Sequence, residues 1–429
     1  MFPTIIQGGM GVAVSNYRLA RAVSCSGQLG VVSGTMLDTV LARRLQDGDL
    51  DGSLRRAISK FPFQEIASQV LNDYFIEGGK SAGVPYKPVS MHSMNTPKHL
   101  IELTILANFV EVFLAKEGHS GVVGINYLTK IDLPTLPSLF GALLAGVDYV
   151  LMGAGIPRAI PGILDQLSMK KAVSLKIDVE GSSAEDNYAV SFDPADYPIS
   201  QPVLKRPKFL AIVSSSVLAQ SLSKKASGKV DGFVVEHHTA GGHNAPPRGG
   251  VRVDERGEPI YGPKDDIDVA SFKKLGLPFW LAGGYGTHAG LTKALELGAT
   301  GVQVGSLFAF CEESGINESI KREVIDMVKN GDPHIFTDPL ASASSYPFKV
   351  VPLNTSLSQD DIYFARRRIC DLGYLRQAYK NEDGTLGFRC SGEPVQSFVR
   401  KGGAECVFAF FWPANRISNW PVNRMFLAC

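Results

Sequence analysis

Pro-Phe-Trp-Leu-Ala-Gly-Gly at residues 278–284 is followed, after a helix-like stretch, by Gly-Val-Gln-Val-Gly-Ser at residues 301–306. Each is a short apolar run rich in β-formers that stops at glycine. Between them Thr287 can cap a helix carrying Leu291, Ala294 and Leu295, which Gly298 ends. Strand, glycine turn, helix, strand is the unit of a buried parallel sheet. A phosphate needs several converging backbone N–H donors, and a Cβ would block its approach. Gly283-Gly284 and Gly305-Ser306, at the carboxyl ends of successive strands, meet that need, and the Ser306 hydroxyl adds a donor. Either glycine pair alone is also what a tight turn uses. Their order decides for phosphate, because the loops after strands seven and eight are the usual phosphate site of a (β/α)8 barrel.

The same alternation runs back through the chain. Strands are expected at Thr4–Gln7, Leu29–Ser33, Gly121–Leu128, Asp148–Met152, Phe209–Ser214, Gly232–Glu236, Pro278–Ala282 and Gly301–Val304. Ala172–Val179 competes with Phe209–Ser214 for the fifth place; preferring the latter turns residues 172–201 into an excursion, read as a hairpin. Ser15 is expected to cap a helix from about Asn16 to Ser26, with Gly27 as its stop, and Ser216–Lys225 reads as helical. The fold class is therefore α/β, a (β/α)8 TIM barrel with a large insertion after strand 2 and a long C-terminal extension. Residues 1–34 and 121–310 form the expected barrel. Residues 35–120 form a mainly helical insertion, with helical patterns near Ser53–Lys60 and His99–Lys116, and 311–429 is a lid or interface. A plain barrel needs about 250 residues, and the 429 present leave room for both appendages.

Composition narrows the function classes. With 45% hydrophobic and 20% charged residues the chain is an ordinary globular one, which excludes disorder as its main state. Lys plus Arg (43) and Asp plus Glu (42) leave a net charge of +1, so neither nucleic acid nor an anionic membrane is an expected partner. The run Arg366–Arg368 is read as a solvated helix face. The opening Met-Phe-Pro-Thr-Ile-Ile-Gln-Gly-Gly has no basic leader before an apolar run, and no long apolar stretch follows. No signal peptide or membrane span is expected, and with six cysteines in so long a chain the location is read as cytoplasmic and reduced.

Strand six runs into Glu236-His237-His238-Thr239-Ala240-Gly241-Gly242-His243-Asn244-Ala245-Pro246-Pro247. Loops at this end of a barrel carry catalysis. Gly241 and Gly242 let the main chain pass close to a flat ring, and His243 is then presented beside it as an acid or base working near neutrality. His237 and His238 read as structural or supporting residues. A metal site of all three histidines lacks a carboxylate or cysteine partner at a fitting spacing, so no metal is expected. Cys370, Cys390 and Cys406 match no metal-ligand spacing and read as buried free thiols. The run Phe408–Pro413 reads as core or subunit contact.

These motifs resemble the nitronate monooxygenase (2-nitropropane dioxygenase) family, which includes FMN-dependent enoyl reductases. The matching pieces are Ile-Ile-Gln-Gly-Gly-Met-Gly (5–11), Gly-Ile-Asn-Tyr-Leu (124–128), Ala-Gly-Gly-His (240–243), Leu-Ala-Gly-Gly (281–284) and Gly-Val-Gln-Val-Gly-Ser (301–306). The resemblance implies FMN as cofactor. Gly9, Met10 and Gly11 would line its ring, Asn126 would reach it, and Gly241 and Gly242 would pass beside it. Gly283, Gly284, Gln303, Gly305 and Ser306 would hold the phosphate. His243 would be the base in oxidation of a nitronate or nitroalkane by O2 to a carbonyl compound and nitrite. The alternative is an FMN-dependent NAD(P)H enoyl-thioester reductase meeting an acyl carrier protein; a third reading is a non-catalytic flavin-binding assembly protein. A small-molecule substrate, O2 or NAD(P)H, and a homodimer are the partners considered. The large insertion, the long tail, His237-His238 and Pro246-Pro247 depart from the family's usual pattern, where substrate would bind.

Overall fold

The computed structural model describes residues 2–183, 185–331, 334–339, 342, 346–354, 356–370 and 372–403. Cys406 and the aromatic run Phe408–Pro413 lie outside them. Two compact units make up the chain. One comprises residues 1–177, 189–235 and 268–315; the other takes 178–188, 236–267 and the chain from 316.

The first unit is an eight-stranded barrel: β1 Ile5–Gln7, β2 Gly30–Ser33, β3 Val123–Leu128, β4 Tyr149–Gly153, β5 Lys208–Val213, β6 Gly232–Glu236, β7 Phe279–Ala282 and β8 Gly301–Val304. The order around it is β1-β8-β7-β6-β5-β4-β3-β2, with parallel pairing. A parallel bridge between Ile6 and Leu29 closes the ring, where Leu29 N donates to Ile5 O (3.1 Å) and Gln7 N to Leu29 O (3.0 Å). The fully buried Gln7 amide reinforces this seam, its Oε1 accepting from Val31 N at 2.9 Å.

Period-two alternation explains the filling. Ile6, Leu29, Val31, Tyr149, Leu151, Leu210, Val234, Trp280 and Ala282 turn inward and pack as one core. Each large side chain so buried contributes about 1.5–3 kcal/mol. The Trp280 indole N–H is satisfied by Pro3 O at 2.8 Å.

Helix α1 is Tyr17–Cys25, and its cap is Asn16, whose side chain accepts from Arg18 N and Leu19 N. The expected cap, Ser15, is used differently: its Oγ accepts from Met10 N (2.9 Å) and Gln7 Nε2 (2.9 Å) and donates to Gly8 O (3.1 Å). Asn16 therefore takes the extended backbone that a cap requires, and Ser15 ties down the β1 loop.

Helices α2 (Leu37–Gln46), α3 (Ser53–Ile58), α4 (Gln64–Tyr74) and α5 (Lys98–Lys116) follow β2. Helix α5 is apolar nearly all round and packs against α1, α2 and the next helix, α6 (Thr135–Leu144). Gly141 lets α6 close on α5, since a Cβ there would meet Ile105 O at 2.2 Å. Buried Glu111 of α5 accepts from Tyr17 N (2.7 Å) and Arg44 Nη1 (2.8 Å). The expected excursion is a hairpin, Val173–Lys176 against Ala189–Phe192, leaving the fifth barrel place to Lys208–Val213.

In the second unit, strands Phe336–Asp338 and Phe348–Val350 pair antiparallel, as do Gln377–Lys380 and Leu386–Arg389. The short strand Val179–Glu180 joins Gln377–Lys380 in parallel. Arg366–Arg368 follows the helix Asp360–Ala365 instead of lying on its face. Arg366 rests over the Tyr363 ring (3.6 Å), and Arg368 donates to the carbonyls of Ser391 and Glu393. Among the described residues, no helix is long and apolar enough to cross a membrane.

Candidate active site

The barrel unit brings together residues from three separated strands. The loop after β1 turns through Gly8, Gly9, Met10 and Gly11, held by the Ser15 hydroxyl. A Cβ on Gly9 would stand 2.3 Å from Cβ of Asn126, so glycine is what lets the β1 loop lie against β3. A Cβ on Gly8 would touch the Gln303 side chain at 3.5 Å. Register with the inward-facing Ile6 and Ala282 turns Gln303 into the barrel. Its Oε1 is buried and has no hydrogen-bond partner among the described residues. An orphaned buried acceptor costs about 1–3 kcal/mol and marks a place where an outside donor is wanted.

The two turns expected to hold a phosphate follow β7 and β8. Gly283 (φ 101°) and Gly284 (φ 78°) occupy backbone conformations that L side chains rarely adopt. They lead to α7 (His288–Glu296), where the Thr287 hydroxyl accepts from Gly290 N at 3.0 Å. Gly305 differs: its φ is −109°, and a Cβ there would meet only Met10 Sδ at 3.8 Å. Neither backbone conformation nor the protein's own packing requires glycine at 305. Ser306 and Gly284 are exposed beside it.

The second unit holds Gly241, Gly242 and His243. Gly242 has φ 79°, and its carbonyl accepts from Lys349 N at 3.0 Å. Asn244 N donates to Pro347 O (2.8 Å), and His243 bridges antiparallel to Phe348. The loop is thus a strand edge against residues 347–349, more than a hundred positions onward. The imidazole is fixed on two sides: Nε2 bonds to Ser342 Oγ at 2.8 Å, and the Phe348 ring meets it edge-on at 4.8 Å. His238 stacks on Tyr261 (4.2 Å) and meets the His237 ring at a tilt (3.9 Å), and burial lowers its pKa. His237 Nδ1 bonds to Thr239 Oγ1 at 2.8 Å. The pair packs with Tyr261, the supporting role expected of it.

One titratable group escaped the sequence reading. Glu236 is the last residue of β6, two after inward-facing Val234, and burial of its carboxyl pushes its pKa up to about 7. The signal was available as a carboxylate at an inward register position where a barrel strand ends.

Residues 157–337 match the family model described as nitronate monooxygenase. This segment contains β5 to β8, both phosphate turns and the His243 loop. The resemblance to that family is carried by this segment, 181 of the 429 residues. A probable nitronate monooxygenase of Bacillus subtilis (strain 168) is 33% identical over 115 residues, covering 27% of this chain and 31% of that protein. The nitronate monooxygenase of Pseudomonas aeruginosa is 32% identical over 110 residues, covering 26% and 29%. The chain thus spans about a third of the length of the curated relatives it matches. Among solved structures, FabK from Thermotoga maritima aligns with 16% identity and a TM-score of 0.41 over 81% of this chain and 71% of that one. Nitroalkane oxidase from Streptomyces ansochromogenes aligns with 17% identity and a TM-score of 0.41 over 81% and 76%. The nitronate monooxygenase segment leaves out Gly9, Met10, Gly11 and Asn126, which meet the Gln303 and Gly305 turns only through the barrel.

Proposed function

We propose that this protein is an FMN-dependent oxidoreductase that oxidises a nitronate, with His243 as the base acting on a neutral nitroalkane. One observation supports the cofactor: a Cβ at Gly305 would meet the Met10 side chain only at ordinary contact distance, and Gln303 on the same turn carries an orphaned acceptor. Gly283, Gly284, Gly305 and Ser306 would hold the phosphate with main-chain and hydroxyl donors, and the first-turn amides of α7 would favour its charge. Gly9, Met10, Gly11 and Asn126 would form the wall beside the ring, and Gln303 would take a donor from it. Gly241 and Gly242 would leave room for the ring on the His243 side. When bound, FMN would take electrons from the substrate carbon, with O2 as the final acceptor.

His243 has the constraints a base needs. Its ring is oriented by Ser342 and Phe348. A nitronate already lacks the proton that His243 removes, so the two substrate forms separate binding from proton transfer.

The test is spectroscopic. The purified protein should show flavin absorbance, and anaerobic mixing with a nitronate should bleach it. Rapid bleaching by NADH or NADPH with none by several nitronates would reject the monooxygenase and select the enoyl-thioester reductase. A colourless protein that takes up no added FMN would reject both.

A further inference from the structure

Away from both clusters, the second unit sets two cysteines side by side. Cys370 follows Arg366–Arg368, and Cys390 opens the turn after the strand Leu386–Arg389. Arg368 ties the two segments, its Nε donating to Glu393 O (3.2 Å) and its Nη2 to Ser391 O. The turn is closed by Glu393 N on Cys390 O (3.0 Å) and Cys390 N on Glu393 Oε1 (3.1 Å). Neither cysteine is in a disulfide, and Cys390 acts on the Cys370 thiol as its strongest electrostatic neighbour. Cys370 is half-buried, so small solutes reach it, and Cys390 is buried behind it.

The surroundings favour negative charge on sulfur. The Cys390 hydrogen bond is the largest influence on Cys370, and the main chain at Gly373 and the Arg376 guanidinium add to it; together they bring its pKa down to about 6. Arg376 is fixed by its Nε on Gly373 O (3.0 Å) and lies over the Phe388 ring at 4.6 Å. Gly392 N donates to Cys390 Sγ at 3.3 Å. Among the described residues, no third His, Cys, Asp or Glu makes this pair a metal-holding group. A reachable thiolate beside a second thiol is the arrangement of a redox-active cysteine pair.

We propose that Cys370 is a peroxide-reactive cysteine and Cys390 its resolving partner. Cys370 sulfur attacks one oxygen of a hydroperoxide; the O–O bond breaks, the other oxygen leaves and is protonated, and a sulfenic acid results. Cys390 sulfur then attacks Cys370 sulfur. The S–S bond forms, the S–O bond breaks, and the oxygen departs as water with the Cys390 proton. Two thiols lose two electrons, and the hydroperoxide gains them.

The experiment uses the reduced full chain, with one equivalent of hydrogen peroxide and thiol counting under denaturing conditions. Two thiols should disappear together, and peptide mapping should give a Cys370–Cys390 linkage, while exposed Cys25 stays reduced. In Cys390→Ser the sulfenic acid should persist on Cys370 and be trapped by dimedone; in Cys370→Ser neither product should form. Arg376→Met should slow the thiol loss roughly tenfold while leaving the linkage the same. Oxidation that starts at Cys25 or Cys311, or wild-type protein that keeps both thiols, would overturn the proposal. Mapping the wild-type chain decides this even where a variant fails to fold.

Discussion

Glu236→Gln is the substitution whose outcome the structure sets most sharply. Glutamine copies the shape of the protonated acid and cannot ionise. The folded carboxyl has a pKa of about 7 because its surroundings desolvate it, whereas in the unfolded chain it returns to about 4.5. Between these values the folded state holds the extra proton, so the free energy of unfolding falls as pH rises. The loss begins near pH 4, is complete above about pH 7, and at about 1.4 kcal/mol per unit reaches about 3 kcal/mol. The assay is a series of urea melts from pH 4 to pH 8, followed by circular dichroism, on both proteins. They should coincide at pH 4, and the glutamine variant should be more stable by about 3 kcal/mol at pH 8. Parallel profiles would refute the buried neutral acid. A variant weaker throughout would mean that Glu236 is ionised and paired.

Four further outcomes test the candidate site. His243→Ala should retain flavin absorbance and lose about 10²–10⁴-fold in kcat with a neutral nitroalkane while losing far less with the preformed nitronate; equal losses on both would remove His243 from proton transfer. Gly305→Val should fold with a melting temperature near that of the parent, because a Cβ finds only Met10 Sδ at 3.8 Å, yet purify with little flavin, read as the 450 to 280 nm absorbance ratio. Gly9→Ala should instead cost stability, since its Cβ would stand 2.3 Å from that of Asn126; an unchanged melting temperature would show that the β1 loop moves freely off β3. Ser342→Ala removes the bond that aims His243, worth about 1 kcal/mol, and should lower kcat on the neutral nitroalkane with little change in KM.

Much of the barrel was legible because it is local. A run such as Phe279–Ala282 carries its period and its glycine stop within a few residues, and the turn after it needs the positive φ that Gly283 and Gly284 supply. Even the fifth strand followed from counting units, since residues 172–201 had to leave the barrel once Lys208–Val213 entered it. Ser15 was misread because capping depends on which of two adjacent polar residues takes the extended conformation, and the β1 loop had already claimed Ser15.

Sequence alone determined where the strands end and which backbone positions stay open, because both are set by neighbours within one turn of chain. Tertiary structure alone decided which side chains meet: Asn126 against Gly9, Ser342 and Phe348 around His243, Cys370 beside Cys390. It also decided that Glu236 holds a proton near neutrality. Contacts and desolvation depend on segments far apart in the chain coming together, and no local pattern of residues encodes that distance.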